Sequence, residues 1–276
     1  SSVMSPLLLL LVLAVIQGLA EFLPISSSGH LVLAGELLPG GEKLPDGVGV
    51  EILLHLGTLF AVFIHYRARI ARLLTNLLSK SLAGSEQRDY LFKLIIATIP
   101  AVLAGLFLYD ADNDFFENTD VVACGFIFTS LVLLSSKLVR EPGALAPADT
   151  EQPISLSKAT LIGIAQAVAI LPGISRSGST IVMARHLKIN AQQAEDFSFL
   201  MAIPVIIGGA VRELPKLDLE KGLGLSAIEI SMALLLSCVV GLIALHVLHS
   251  VLQKRRLHIF APYCLAVAII VLLTTH

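Results

Sequence analysis

Charged residues are scarce in this chain. Only 14% of its 276 residues are Asp, Glu, Lys or Arg, whereas 55% are hydrophobic and the mean hydropathy is +0.85. Soluble domains carry roughly a quarter charged residues, so this chain lacks the polar surface that keeps a domain in water. The composition therefore predicts an integral membrane protein, with residues 1–276 forming a single membrane domain.

Cysteine and net charge are also low. The three cysteines each lie in an apolar run, and their odd number favours small core residues over disulfide partners; they are Cys124, Cys238 and Cys264. The formal net charge is −2 and the pI is near 6.4, so there is no excess of positive charge for phosphate backbones. We therefore expect no nucleic-acid partner.

The sequence contains several long apolar runs. A helix needs roughly 20 residues to cross a bilayer core of about 30 Å. Six runs meet or approach this length: Val50–Tyr66, Tyr90–Tyr109, Val121–Val139, Phe197–Val211, Ser226–Leu252 and His258–Thr275. Phe197–Val211 is short unless Ala194 and Glu195 begin its helix inside the membrane interface.

Basic residues give these spans an orientation. If each run crosses once, all basic clusters fall on one side, which the positive-inside rule makes the cytoplasm. The acidic stretch Asp110–Asp120 then lies on the outer side. The basic residues are Arg67, Arg69, Arg72, Lys80, Lys137, Arg140, Arg185, Lys188, Lys254, Arg255 and Arg256.

Two further apolar stretches are interrupted. Leu7–Leu38 is broken by Pro24 and a run of serines, and Leu156–Leu187 is broken by "PGISRSGST", Pro172–Thr180. Each has too few apolar residues before its break for a comfortable crossing. The orientation of the six spans also returns each stretch to the side from which it enters. We predict two re-entrant helical hairpins, the first entering from outside and the second from the cytoplasm.

The first of these stretches has an alternative explanation. Pro6–Ala20 has the length of a signal-peptide core. No Lys or Arg precedes it, however, and cleavage after it would make the motif at Glu21 a new terminus. We expect this segment to be part of the membrane domain.

The two interruptions resemble each other. A shift of 149 residues aligns Gln17 with Gln166, Ile25–Ser26 with Ile174–Ser175, Ser27 with Arg176 and Ser28–Gly29 with Ser177–Gly178. Three spans separate the hairpins, so the second half is inverted relative to the first. The sequence predicts an all-α membrane protein with six transmembrane helices plus two re-entrant hairpins in an inverted-topology repeat, with halves at about 1–139 and 155–276.

Irregular backbone at membrane depth survives only where it lines a cavity or is buried in protein. We therefore expect the two loops to meet and to build one polar pocket. Glycines in the second loop allow successive N–H groups to face an anion, and the helix that follows adds partial positive charge. Arg176 adds a planar fork of donors suited to phosphate, and an arginine at this depth is costly without an anion.

These properties predict a phosphate ligand bound by Arg176. Secondary donors are expected to be Ser175, Ser177, Ser179 and Thr180. The predicted phosphate-binding set is completed by Ser26, Ser28, Gly29, Gly173 and Gly178.

The first loop, "EFLPISSSGH", adds a carboxylate, hydroxyls and an imidazole. Gln17 and Glu21 are spaced i, i+4 and share a helix face. A bare carboxylate repels a polyphosphate, so we expect Mg²⁺ or Ca²⁺ between them, with Glu21 and the carbonyl oxygen of Gln17 as ligands. Ser27 aligns with Arg176 and is placed to attack phosphorus. His30 is close in sequence and can exchange protons.

Each of these residues also has an ordinary structural explanation. Ser26 or Ser28 can bond back to a helix carbonyl, and Gly29 or Gly178 can allow tight helix packing. Glu21 can relay protons or pair structurally with Arg176. The presence of the whole set in two repeat-related loops favours a site. Four other histidines show no metal-like clustering and are assigned no role: His55, His65, His246 and His249.

The two motifs together resemble those of a known family. "QGLAEFLPISSSGH", Gln17–His30, and "PGISRSGST", Pro172–Thr180, look like the two signatures of the undecaprenyl-pyrophosphate phosphatase family, also called the bacitracin-resistance protein family. Both match without gaps, and the resemblance extends over essentially the whole chain. It implies a bacterial inner-membrane hydrolase that converts undecaprenyl pyrophosphate to undecaprenyl phosphate and inorganic phosphate. This reaction recycles the lipid carrier of cell-wall synthesis and confers bacitracin resistance.

The resemblance also implies functional residues. The catalytic positions carried over are Glu21, Ser27, His30 and Arg176, with dependence on a divalent cation and a site open to the periplasm. Gln17 occupies a position that the family fills with Glu or Gln, which leaves Glu21 as the one anionic candidate ligand. The division of labour between Ser27 and His30 stays open, and a metal-bound water is the rival nucleophile.

A transporter is the alternative function. Inverted repeats with re-entrant hairpins are common among secondary transporters, so a polyprenyl-phosphate flippase could use the same pocket. A transporter needs paths to both faces, whereas a phosphatase needs one wet opening and a lateral route for the lipid tail. The expected partners are the C55 lipid and the bilayer, and a homodimer is compatible with the sequence.

Overall fold

The structure is a computed structural model that describes residues 5–38, 47–77, 79–108, 115–116, 118–139, 153–213 and 225–275. Within these ranges the chain is helical and contains no strand, as the sequence predicts. The helices are α1 (Pro6–Phe22), α2 (Ser27–Leu37), α3 (Gly47–His65), α4 (Arg67–Asn76), α5 (Leu82–Leu108), α6 (Thr119–Ser135), α7 (Leu156–Val168), α8 (Arg176–His186), α9 (Ala191–Glu213), α10 (Ala227–Gln253) and α11 (Ala261–Thr275).

Five helical segments are long and apolar enough to cross a membrane, namely α5, α6, α9, α10 and α11. The spans of α6 and α11 include short 3-10 turns, Ser136–Leu138 after α6 and Leu257–Phe260 before α11. Helix α3 meets the same test only together with α4, from which it is bent by 71°. The described residues thus contain five candidate spans, or six if this bent pair is one span. All six coincide with predicted apolar runs. Helix α9 begins at Ala191, early enough to lengthen the short run at Phe197.

Two helix boundaries differ from the sequence prediction. Helix α5 begins at Leu82 and not near Tyr90, because an apolar run marks only the lipid-facing part of a longer helix. The basic segment after α3, expected only to flank a span, forms helix α4. Its Arg69 is buried, and the guanidinium carbon lies 4.9 Å from the ring centroid of Tyr90. Packing on α5, which a local pattern does not reveal, therefore orders this segment.

The two predicted interruptions are present. Helices α1 and α7 have 17 and 13 residues, and each ends at a short non-helical loop before α2 or α8. In the first loop Ser26 has φ 67°, a left-handed conformation that is uncommon for serine. In the second loop Gly173 has φ 84°, where glycine carries no steric penalty. The breaks are thus built into the backbone at the positions that Pro24 and Pro172–Thr180 indicated.

The helices pair in a reciprocal manner. Helix α1 packs on α10, and its counterpart under the 149-residue shift, α7, packs on α5. Helix α6 packs on α11, which is the last helix of the other half. Glycines allow both of the first contacts to be close: a Cβ on Gly18 would lie 2.9 Å from the carbonyl oxygen of Ser237, and one on Gly163 would collide with the carbonyl of Ala97.

The outer surface is apolar, and two of the basic residues, Arg185 and Arg255, lie together at one end of the bundle, the basic end. Large apolar side chains are exposed around the bundle, as expected for a surface that faces lipid; they include Phe60, Ile95, Phe107, Leu131, Leu235 and Ile270. At one end the Oγ of Ser135 lies 3.0 Å from Nε2 of His186, and a small hollow there is lined by Arg185 and Arg255. Asp110–Asp120, predicted at the opposite end, lies mostly outside the described residues, as does Arg140.

The contact at Gly163 gives a stability test. Gly163→Ala should lower the melting temperature of the detergent-purified protein by several degrees, because the new methyl group forces α7 away from α5. Gly105→Ala on α5 is the matched control, since a Cβ there meets nothing within 4 Å. We expect the control to melt at the wild-type temperature or slightly above. Equal melting temperatures for the two variants would show that α5 and α7 do not pack closely.

Candidate active site

The carboxylate of Glu21 is the centre of the polar cluster. Its Oε2 accepts hydrogen bonds from Ser27 Oγ at 2.7 Å and from Gln17 Nε2 at 3.1 Å, and its Oε1 accepts one from Nη2 of Arg176. Glu21 is 8% exposed. Gln17 and Glu21 belong to α1, Ser27 begins α2 and Arg176 begins α8, so one carboxylate joins both interrupted segments. The predicted meeting of the two loops is present.

Backbone contacts bring the loops together in a reciprocal way. A Cβ on Gly29 would lie 2.9 Å from Cα of Gly173, and one on Gly178 would lie 3.2 Å from Cβ of Pro24. Pro24 and Gly173 occupy equivalent positions under the 149-residue shift, as do Gly29 and Gly178. A side chain at Gly29 would therefore separate the loops. Gly29 and Gly178 thus allow the two loops to approach each other closely.

The first turns of α2 and α8 both face the same cavity. Ser26 Oγ caps α2 by accepting from the N–H of Gly29 at 3.3 Å, and Ser175 Oγ caps α8 by accepting from the N–H of Gly178 at 3.1 Å. The earlier N–H groups of a helix have no partner within it. Two helix N-termini with partial positive charge thus meet at one place, which is an arrangement that binds anions.

The cavity in front of these termini has a volume of about 380 Å³. One side is polar and includes Glu21, Ser27 and Arg176. The other side is apolar and is formed largely by α9, through Ala202, Val205, Ile206, Gly209 and Ala210. A cavity of this kind suits an amphiphile with an anionic head and an apolar tail.

The guanidinium of Arg176 uses only part of its hydrogen-bonding capacity within the protein. Its Nη2 pairs with Glu21, whereas Nη1 has no hydrogen-bond partner among the described residues. The guanidinium carbon lies 5.6 Å from the ring centroid of Phe199, which holds the side chain in place. The structural pair with Glu21, an alternative left open by the sequence, is therefore formed, and Nη1 is left without a described partner beside the cavity.

Six of the predicted site residues line the cavity: Glu21, Ser26, Ser27, Ser28, Ser175 and Arg176. The other predicted residues, all described, lie behind this wall: Gln17, Gly29, His30, Gly173, Ser177, Gly178, Ser179 and Thr180. Thr180, for example, donates to the carbonyl of Arg176 at 2.8 Å and lies 2.5 Å from Ser198 Oγ. The structure gives these residues packing and capping contacts, and their contact with phosphate stays a prediction.

His30 is not hydrogen-bonded to Ser27. Its Nδ1 lies 2.7 Å from the carbonyl oxygen of Ser26, and its Nε2 lies 2.7 Å from the hydroxyl of Tyr263. The ring also stacks on Tyr263 with centroids 5.7 Å apart. The ring turns back to the carbonyl four residues earlier, and the catalytic role expected for His30 stays a prediction. In the structure Ser27 bonds instead to Glu21, and His30 holds the strained backbone of Ser26.

Sequence reasoning missed three polar residues of the cavity wall, Glu51, His55 and Gln166. His55 of α3 has Nε2 3.6 Å from Oε2 of Glu21, and its Nδ1 lies 2.9 Å from the carbonyl oxygen of Glu51. Gln166 of α7 is buried and lines the cavity. A signal for His55 was present, since Glu51 and His55 are polar residues at i, i+4 within an apolar run, the spacing of Gln17 and Glu21.

Comparison with known proteins gives full-length matches. The family model described as bacitracin resistance protein BacA matches residues 10–270. The chain is 37% identical to an undecaprenyl-diphosphatase of Rhodopirellula baltica, with 98% of each chain covered. It is 35% identical to an undecaprenyl-diphosphatase of Syntrophotalea carbinolica, with 92% of this chain and 93% of the relative covered. It is 34% identical to undecaprenyl-diphosphatase 2 of Bacillus thuringiensis, with 95% and 96% covered.

The ion pair in the cavity predicts a double-mutant result. Arg176→Met should lower the free energy of unfolding by roughly 3 kcal/mol, because Glu21 is left buried without its cation. Glu21→Gln in the same chain should recover most of that loss, because the uncompensated charge is gone. Thermal unfolding of the four proteins in detergent measures the coupling. Additive effects of the two substitutions would show that the pair contributes no coupling.

Proposed function

The chain belongs to the bacitracin resistance protein BacA family, and we propose that it is a membrane phosphatase that hydrolyses undecaprenyl pyrophosphate to undecaprenyl phosphate and inorganic phosphate. The observation that carries this proposal is the cavity in which two helix N-termini and Arg176 face Ser27, whose hydroxyl is bonded to Glu21. In the cell this reaction recycles the lipid carrier for cell-wall synthesis and confers bacitracin resistance.

The apolar wall fits the lipid part of this substrate. A cavity of about 380 Å³ is within the range that holds a drug-sized ligand, so it can take a diphosphate and the first isoprene units of the chain. The rest of a C55 chain has to lie in the bilayer. Along α9 the cavity wall includes Val205, Ile206 and the exposed Gly209, which gives an apolar path toward the lipid.

Ser27 attacks the terminal phosphorus in this scheme. Its oxygen forms the new bond to phosphorus while the bond from phosphorus to the bridging oxygen breaks, and undecaprenyl phosphate leaves. The hydroxyl proton passes to Oε2 of Glu21, which already accepts it in a hydrogen bond of 2.7 Å. Nη1 of Arg176 and the N–H groups of α2 and α8 stabilise charge on the phosphate oxygens. Water then attacks the phosphoserine, the bond from phosphorus to Ser27 Oγ breaks, and Glu21 returns its proton to that oxygen as inorganic phosphate is released, while His30 positions the loop.

A divalent cation fits the donor set when the substrate is present. No group of three metal-binding side chains is found among the described residues. Mg²⁺ or Ca²⁺, however, is commonly held by one or two carboxylates and by substrate phosphates. Glu21 supplies the carboxylate, and the buried Oε1 of Gln17 has no described protein partner and can supply a second oxygen. When bound, the cation neutralises phosphate charge.

The helix arrangement supports an inverted repeat with the cavity facing outward. The reciprocal packing of α1 on α10 and of α7 on α5 is what a two-fold relation between halves produces. The cavity is lined by the beginning of α3 and the end of α9, and the opposite ends of these helices adjoin the basic end. We place the basic end in the cytoplasm of a bacterial inner membrane and the cavity toward the periplasm. The relatives named undecaprenyl-diphosphatase favour a phosphatase over a flippase.

Phosphate release from a C15 or C55 prenyl diphosphate tests the function. The purified wild type should release phosphate, and EDTA should suppress the release if a cation is required. Ser27→Ala should lose essentially all turnover, because the attacking oxygen is removed, whereas Ser231→Ala on the exposed face of α10 should not. A wild type without activity would refute the phosphatase proposal. Robust hydrolysis by Ser27→Ala would instead assign the attack to water.

Thiol labelling tests the orientation. In a Cys124→Ala background, Asn118→Cys at the start of α6 should react with an impermeant thiol reagent in intact cells. Lys80→Cys, between α4 and α5, should react only after the membrane is permeabilised. The reverse pattern would place the cavity on the cytoplasmic side and contradict a role in periplasmic recycling.

A further inference from the structure

Gln166 is a buried amide with both polar atoms unpaired. The residue is 2% exposed and lines the cavity. Neither Nε2 nor Oε1 has a hydrogen-bond partner among the described residues. Buried polar side chains in native proteins are nearly always paired, so a side chain of this kind in a cavity wall is available to whatever occupies the cavity.

The repeat-related glutamine is used differently. Gln17 donates through Nε2 to Glu21 at 3.1 Å, four residues further along the same helix. The residue four positions after Gln166 is Ile170, which cannot accept a hydrogen bond. The second half thus has the glutamine without the carboxylate, and its amide is left free at the place where the first half uses it internally.

The surroundings of Gln166 favour an anionic ligand. The cavity is also lined by Arg176, whose buried Nη1 is another donor without a described partner, and by the N-terminal turns of α2 and α8. The acidic residue Glu51 lines the same cavity, so an anion there depends on these donors. The carboxylate of Glu21 is already occupied by donors from Ser27, Gln17 and Arg176. A ligand that accepts several hydrogen bonds would therefore satisfy donors that the protein does not.

We propose that Gln166 is a substrate-binding residue whose Nε2 donates to a phosphate oxygen of the lipid diphosphate. The identity of this ligand rests on the function proposed above. Gln166 adds a donor without adding charge, so the opposite charges of Arg176 and Glu21 remain matched. A second buried cation at this depth would be costly when the cavity is empty.

Gln166→Leu separates a binding role from a structural one. KM for a C15 prenyl diphosphate should rise about tenfold or more, as for loss of a hydrogen bond to a charged group, while kcat falls less. The melting temperature of the ligand-free protein should stay the same or rise, because an unpaired buried amide is replaced by an apolar side chain. Thr160→Val, which removes a hydroxyl from the same helix, should change neither KM nor the melting temperature appreciably.

Gln166→Glu provides a second variant of nearly the same shape. A carboxylate here would repel the diphosphate, so we expect KM to rise further than in Gln166→Leu. Inorganic pyrophosphate binding, measured by calorimetry with the same proteins, requires no turnover and should weaken in the same order. Wild-type affinity for pyrophosphate in both variants would overturn the assignment of Gln166 even if the phosphatase activity were established. A lower melting temperature with unchanged affinity would show that Gln166 is structural.

Discussion

The ion pair between Glu21 and Arg176 holds the two interrupted segments together. Two charges at membrane depth are costly to bury, and their attraction offsets this cost only when the remaining hydrogen-bonding capacity is used. Ser27 and Gln17 supply further donors to Glu21, whereas Nη1 of Arg176 is left without a described partner. The carboxylate of Glu21 therefore has several hydrogen-bond donors, whereas the guanidinium of Arg176 has a donor without a described acceptor. This imbalance, placed in a cavity, is what a phosphate ligand would correct.

The positions of the loops could be predicted from the sequence because their causes are local. Pro24, the serines and Gly173 interrupt helices wherever they occur, and their burial in a bilayer forces them to line a cavity. The directions of side chains could not be predicted, because they depend on contacts from distant segments. His30 turns to Tyr263, more than two hundred residues away, and Arg69 is fixed by Tyr90 on the next helix.

His55 is a second side chain whose contacts the sequence could not predict, here because it was assigned no role and yet lies in the site. Within α3 it is spaced i, i+4 from Glu51 in an apolar run, and only the packing of α3 brings its Nε2 to 3.6 Å from Glu21. Its Nδ1 contacts the carbonyl of Glu51, which fixes the ring with the other nitrogen toward the carboxylate. Gln17 also contacts Glu21, to which it donates a hydrogen bond. A glutamate at this position would instead bring a second negative charge. In this chain Glu21 is thus surrounded by groups that are neutral or cationic.

The two interrupted segments carry different residues at equivalent positions. Ser27 and Arg176 occupy equivalent positions. The hydroxyl of Ser27 is hydrogen-bonded to the carboxylate of Glu21, and the guanidinium of Arg176 forms an ion pair with the same carboxylate. Glu21 and Ile170 are also equivalent, so Gln17 has a carboxylate partner four residues further along its helix, whereas Gln166 has none at the matching position. A symmetric pocket would place like charges opposite each other, with two carboxylates or two arginines in one small cavity. At these two pairs of positions the difference between the segments avoids that repulsion, and it places a hydroxyl and a carboxylate on one segment against a cation on the other.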